Sequence, residues 1–220
     1  LESLEAILIT HEHHDHIKGL EKILQYHETL VVANTPTLRY LPVSPYDRQA
    51  MPLGGRVRFG PLQVTSFAVP HDAAAPAGYW LDDGQSRVCI ATDLGQTTGE
   101  ILEYMRAASL VMLESNYDSQ MLAWGPYPPM LKARICGGYG HLSNQQAAQA
   151  IVATADGAVR DVWLAHLSAT NNRPDLAQAS VETHLAQAGL GHLRVQVALR
   201  DRPSLEWHGP DGLVQGTMFR

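Results

Sequence analysis

The sequence predicts an α+β fold in which two mixed β-sheets are sandwiched between helical layers. Two observations lead there. Short apolar or alternating stretches recur near 5–10, 30–34, 56–59, 62–69, 77–82, 87–92, 109–114, 161–165 and 193–197, and helix-like stretches fall near 17–27, 97–107, 143–155 and 174–188. Strands thus come first and strand-helix-strand units follow, the order expected when sheets must bury a face against each other and against helices. In chain order, Ala6-Ile7-Leu8-Ile9-Thr10 is a buried-strand run, and Ile17-Lys18-Gly19-Leu20 opens a helix. The stretch Leu62–Val69 alternates closely enough to read as a strand. Arg87–Thr92 and Asp161–Ala165 are short apolar runs that give way to turn residues. Ser143 and Pro174 suit helix starts, and Gly189 suits a stop.

Composition bounds the problem. With 220 residues, 45% of them hydrophobic, the chain can bury one sizeable core, and we expect a single domain over 1–220. No apolar run is long enough to span a membrane, and no basic region precedes a cleavage site, so a cytoplasmic location is the default. Cys89 and Cys136 are the only cysteines, too few for a disulfide framework. A formal net charge of −6 is not the footprint of phosphate-backbone binding, although bound divalent metals would add positive charge that a side-chain count omits.

The densest chemistry lies in His11-Glu12-His13-His14-Asp15-His16, directly after the first strand. Imidazole and carboxylate together suit zinc and other first-row metals, whereas calcium or magnesium would call for oxygen almost throughout. A histidine-rich tag would have similar composition but would not sit between a strand and a helix.

This run resembles the H-x-H-x-D-H signature of the metallo-β-lactamase superfamily, whose αββα arrangement matches the predicted layers. The resemblance implies that His11 and His13 serve one metal, and Asp15 and His16 a second. His14 and Glu12 occupy variable positions and are expected to be solvated. The superfamily completes its sites with a distant histidine, a bridging aspartate and a last histidine at strand ends; His71, Asp93 and His166 match those positions. Two divalent ions are implied, zinc or manganese foremost, with iron also compatible. In relatives an N-terminal hairpin and a further strand precede the motif. The chain opens at Leu1 only a few residues before it, so we expect a fragment of a longer protein with one open sheet edge.

Downstream segments narrow the resemblance. Glu114-Ser115-Asn116-Tyr117-Asp118, Tyr127-Pro128, Leu131–Ile135, Gly140-His141-Leu142-Ser143-Asn144 and His166-Leu167-Ser168 with Asn171-Asn172 look like the WalJ/YycJ branch, as do His71-Asp72-Ala73 and Thr92–Gly95. Members of that branch are similar to DNA exonucleases and, more distantly, to ribonuclease Z. Phosphodiester hydrolysis of a nucleic acid, DNA before RNA, is therefore what the resemblance implies. Paired metals would acidify a water and neutralise charge on phosphoryl oxygens. His141 is the candidate proton donor and Glu114 its orienting partner, and Asp15 stands with them among the catalytic residues.

Ser143, Asn144, Ser168 and Asn172 are candidate substrate contacts; Lys132, Arg134 and Arg173 could meet backbone phosphates. His27, His184, His192 and His208 have no partner pattern and are expected to be exposed. A homodimer is allowed. The alternatives are a small cyclic-phosphate diesterase and, from another class, a non-catalytic metal-binding regulatory module. A secreted β-lactamase would be expected to have an export signal and a cysteine at Asp93. A thioesterase of the glyoxalase type would not be expected to carry the Glu114 and His141 pair, and ribonuclease Z would have a longer tRNA-binding insertion.

Overall fold

The computed structural model describes residues 4–156 and 160–209, and the backbone of Leu213–Gln215. Its first sheet joins β1 (Ala6–Leu8), β2 (Leu30–Ala33) and β3 (Arg48–Ala50), all parallel. The short helices α1 (His14–Ile17), α2 (Leu20–Leu24) and α3 (Thr35–Leu38) lie between these strands in sequence. Gly19 interrupts the helix expected over 17–27.

The second sheet has seven strands: β4 (Arg56–Phe59), β5 (Leu62–Ala68), β6 (Ala77–Asp82), β7 (Arg87–Ala91), β8 (Leu110–Glu114), β9 (Asp161–Ala165) and β10 (Arg194–Val197), in spatial order β10-β9-β8-β7-β6-β5-β4. The meander β4 to β7 is antiparallel, and β7 to β10 is parallel. The crossovers run through α4 (Gly99–Ala107), then α5 (Ser119–Trp124), α6 (Pro129–Cys136) and α7 (Asn144–Thr154), and finally α8 (Pro174–Gln187). A two-stranded ribbon of β11 (Leu205–Trp207) and β12 (Leu213–Gln215) follows.

Burial follows the period of each element and produces four layers. On β2, Val31 and Ala33 face α2 and α3 together with Ile9, Leu20 and Leu38, while Val32 faces the other way. Val32, Met51, Val64, Ala77 and Tyr79 fill the space between the sheets. On the far face of the large sheet, Phe67, Cys89, Ala91, Val111, Leu113, Val162 and Leu164 pack against Ile101, Met105, Ala148, Ile151, Val181 and Leu185. Side chains that alternate along a strand can build both cores at once. Arg160 is buried and closes two helices: its guanidinium donates to the carbonyls of Met105 at 2.8 Å, Thr154 at 3.2 Å and Ile151 at 3.1 Å, and to Thr154 Oγ1 at 2.7 Å. The guanidinium thus caps the last turns of α4 and α7, adding to Ala108 N–H at Met105 O and Thr154 Oγ1 at Ile151 O.

Candidate metal centre

Topology brings the chemistry to one edge. Because β6 is antiparallel to both β5 and β7, the strands β5, β7, β8 and β9 all end on the same side. The end of β1 is tied there too: Ala77 N–H donates to Thr10 O at 3.0 Å, and Tyr79 Oη donates to Ile9 O at 2.6 Å. The loops after these strands therefore converge where open α/β sheets present their ligands, beyond the carboxyl ends.

Three groups of ligand-type atoms meet there, each group within 4.8 Å: His11, His13 and His71; Asp15, His16 and His166; and Asp93, Glu114, His141 and His166. A further group, His11, His16 and Asp93, links the first two. His71 Nδ1 faces Gly140 O at 3.1 Å, which leaves Nε2 to point inward, 3.3 Å from His13 Nδ1. Asp93 sits between the sets, with Oδ1 3.7 Å from His71 Nε2 and 3.4 Å from His166 Nε2, and Oδ2 3.1 Å from His16 Nε2. Asp15 Oδ2 lies 3.5 Å from His166 Nε2. Asp93 and His166 hold φ of +57° and +54°, left-handed conformations that cost a non-glycine residue roughly 1–2 kcal/mol each. Such strain concentrates at functional sites.

Glu114, fully buried at the end of β8, joins the periphery of the cluster. Its Oε1 is 2.8 Å from His141 Nδ1 and 2.7 Å from His166 Nδ1, while Oε2 accepts from the N–H groups of Leu94 and Leu142, both at 3.1 Å. Burial opposes its charge, yet the hydrogen bonds from His141 and His166 prevail and hold the carboxyl below its ordinary range. The same contacts work in reverse on the rings: burial disfavours the charged form, but Glu114 raises His141, and Asp15 with Glu114 raises His166 to about 10. Burial, and then the neighbouring His16, pushes His11 down to about 3; burial likewise lowers His71. The hydrogen bond from His166 holds Asp15 below its usual range. Asp93 is also low, because His16 and the surrounding imidazoles outweigh its burial.

The donor set fits divalent metal. His11 Nε2 and Asp93 Oδ2 are buried and have no hydrogen-bond partner among the described residues; the short Asp93–His16 distance lacks hydrogen-bond alignment. Buried polar atoms are normally satisfied, so a neutral imidazole and an ionised carboxylate left open toward one another form a site with room for a cation. Nitrogen and carboxylate oxygen are the donors that first-row metals accept.

Other expectations fare unevenly. Ser143 is the N-cap of α7, receiving Gln146 N–H at 3.2 Å, with the Gln146 side chain closing the capping box. Asn144 and Asn172, candidate substrate contacts in the sequence, are buried in the framework. Asn172 Nδ2 donates to Ser115 O at 2.9 Å and Asn116 O at 3.1 Å, and Asn144 Oδ1 receives Ser115 Oγ at 2.6 Å. Their hydrogen-bonding groups already serve the loops after β8 and β9. Ser168 does line the cleft, although its Oγ receives Asn171 N–H at 3.1 Å. His14 is exposed as expected. Glu12 is not a solvated loop residue: its Oε1 receives Ala74 N–H at 2.7 Å and pins the loop that carries His71. Of the four unassigned histidines, His192 and His208 are exposed, whereas His27 and His184 are half-buried. Two participants escaped notice. Asn116 Nδ2 donates to His166 O at 2.9 Å, and Asp72 pairs with Arg134 at 2.6 Å on the cleft wall. Both lay inside segments singled out in the sequence, but nothing in their residue type separated them from ordinary loop residues.

The family described as the beta-lactamase superfamily domain matches residues 1–167. The chain is 35% identical over 196 residues to exodeoxyribonuclease YycJ of Bacillus anthracis, covering 87% of this chain and 74% of that protein. It is 35% identical over 198 residues to exodeoxyribonuclease WalJ of Streptococcus pneumoniae serotype 2 (strain D39 / NCTC 7466), covering 86% and 73%. Among solved structures, the metallo-β-lactamase fold protein YhfI from Bacillus subtilis superposes with a TM-score of 0.65 at 16% identity, covering 90% of this chain and 76% of that one, which establishes the fold. The chain thus belongs to the β-lactamase superfamily, with the metallo-β-lactamase fold, and is a metal-dependent hydrolase related to YycJ and WalJ.

Proposed function

We propose that the protein cleaves phosphodiester bonds of DNA, acting in the cytoplasm as an exonuclease with two divalent ions. In this reading His11, His13 and His71 hold one ion, Asp15, His16 and His166 the other, and Asp93 both. The observation that carries it is Glu114, whose single oxygen Oε1 faces His141 on one side and His166 on the other. Bound ions would supply an acidified water and offset charge on the phosphoryl oxygens.

The chain's own residues do the rest. Glu114 fixes His166 through Nδ1, so that Nε2 faces Asp93 and Asp15. It fixes His141 through the same nitrogen, leaving Nε2 for the cleft that His141 lines. That carboxylate raises the pKa of His141 and so favours the protonated ring, which can deliver its proton to the departing alkoxide, a contribution of about 10²–10⁴-fold. The 35% identity to two exodeoxyribonucleases supports DNA as the polymer.

The test is a panel of end-labelled single- and double-stranded DNA and RNA incubated with the metal-loaded protein, alongside metal analysis. Release of mononucleotides from DNA ends is expected. Activity confined to small cyclic phosphates would overturn the reading in favour of the small-molecule diesterase.

A further inference from the structure

We infer that Glu12, which stands between the candidate ligands His11 and His13, is a positioning residue that sets how closely His71 approaches them; this rests on the two-ion reading, in which the three histidines hold one ion. Their rings come together from two sheets. Ring centroids lie 4.6 Å apart for His11 and His13, 5.1 Å for His11 and His71, and 5.1 Å for His13 and His71. His11 and His13 follow β1 of the three-stranded sheet, whereas His71 lies in the turn between β5 and β6 of the seven-stranded sheet. The ligand set therefore closes only if one loop is fixed against the other.

The turn has little of its own to do this with. It runs His71-Asp72-Ala73-Ala74-Ala75-Pro76, and three consecutive alanines offer only their backbone to a polar partner. On the side of the large sheet, Val69 N–H donates to Pro76 O at 3.2 Å and closes the base of the turn, Asp72 pairs with Arg134, and Gly140 O steers the His71 ring. From the small sheet, Thr10 O receives Ala77 N–H at the foot of β6, and two side chains reach into the turn itself: Glu12 Oε1 accepts from Ala74 N–H at 2.7 Å, and Asn34 Nδ2 donates to Ala75 O. An ionised carboxylate is the stronger partner for an amide N–H. The two side chains differ in what else they do. Asn34 Oδ1 also caps α3, receiving Thr37 N–H at 3.0 Å. Glu12 Oε2 is buried and has no hydrogen-bond partner among the described residues, so the bond to Ala74 is what the carboxylate contributes among them. A buried oxygen left unpaired costs stability, which makes Glu12 a poor choice for a tie that serves the fold alone.

The experiment titrates metal-free protein with cobalt(II), follows the visible absorption of the bound ion, and competes it with a chelator to obtain the affinity of each binding step. Glu12→Ala is expected to weaken one of two steps by about tenfold, the low end of the range for groups that orient metal ligands, and to leave the other unchanged. His71→Ala identifies that step by abolishing it, and adding Glu12→Ala to His71→Ala should not alter the step that remains. Glu12→Gln keeps an acceptor in the same place and should bind as the wild type does. Glu12→Met fills the space without an acceptor and should repeat the loss, which keeps the test open if Glu12→Ala fails to fold. Unchanged cobalt binding in the Ala and Met variants would overturn the role of Glu12. Equal weakening of both steps, with a lower Tm of the metal-free protein, would also overturn it by making Glu12 a general tie between the sheets. Wild-type protein that takes up a single ion would overturn the two-ion reading, whereas weakening of that ion by Glu12→Ala and its loss in His71→Ala would still support the role of Glu12. No uptake of cobalt by the wild type would overturn both.

Discussion

Glu114 makes the proposed chemistry separable at the level of single residues, because one carboxylate serves both a candidate ligand and a candidate acid. His141→Ala should leave metal content intact and reduce turnover of an ordinary phosphodiester by about 10²–10⁴-fold. With a nitrophenolate leaving group, which needs little protonation, the loss should be far smaller; equal losses on both substrates would show that His141 only positions. Asp93→Ala should abolish nearly all hydrolysis and lower metal content, since Asp93 reaches toward both histidine sets, whereas exposed His14→Ala should do little. Metal analysis and turnover on the same samples decide the matter, and parallel losses would reverse the assignment of the loop. The candidate ligands were legible because His and Asp at set spacing signal their chemistry directly. The placement of Asn144 and Asn172 was not legible, because an amide in a loop looks the same whether it meets a substrate or satisfies buried backbone; the structure shows both buried and bonded to neighbouring loop groups. Glu12 was misread for the same reason: nothing local announces a partner 62 residues away.

Elements with a buried face were legible, and those without one were not. The strands β1, β2 and β4 to β10 and the helices α4, α7 and α8 were foreseen because each must cover a core and shows the period that covering imposes, whereas β3, β11 and β12 were not. α6 buries no residue, follows Pro126 and Pro128 and begins at Pro129, so its sequence carries neither periodicity nor a helix-favouring start beyond proline itself. β3 is exposed along its length and gave no apolar signal. Two elements can be probed by what holds them. Arg160→Ala would remove the charge-assisted hydrogen bonds to three carbonyls at the ends of α4 and α7, at a cost of about 3 kcal/mol. For a chain of this length that corresponds to about 9 °C in Tm, measurable by thermal denaturation; a shift below about 2 °C would mean that water replaces the guanidinium. Gly95 allows the Asp93 loop to meet the turn before His141, since a Cβ there would fall 2.3 Å from Gly137 O and 2.4 Å from Gly138 C. Gly95→Ala should therefore force the two loops apart, lowering metal content and turnover together while costing about 1–3 kcal/mol of stability.

Across the whole molecule, the metal centre is also a seam between the two sheets. His11, His13, Asp15 and His16 follow β1 of the three-stranded sheet, whereas His71, Asp93 and His166 follow β5, β7 and β9 of the seven-stranded sheet. The apolar layer between the sheets is the modest cluster around Val32, Met51, Val64, Ala77 and Tyr79, and the large core lies on the far side. Ions bound at the proposed positions would hold the sheets together at one edge and bind the folded chain far better than the unfolded one. At ion concentrations of about a thousand times Kd, this linkage contributes roughly 4 kcal/mol. Chelation should then lower Tm by about 12 °C. The loss should be local before it is global. Amide exchange should quicken first in residues 6–24, which carry β1, α1 and α2, because that layer loses its attachment while α4, α7 and α8 keep theirs to the large sheet. Hydrogen exchange with and without chelator, read against restoration by zinc or manganese, measures this directly. An unchanged Tm with uniform exchange would show that the sheets are held by their apolar layer alone and that the histidine and aspartate cluster contributes nothing to joining them.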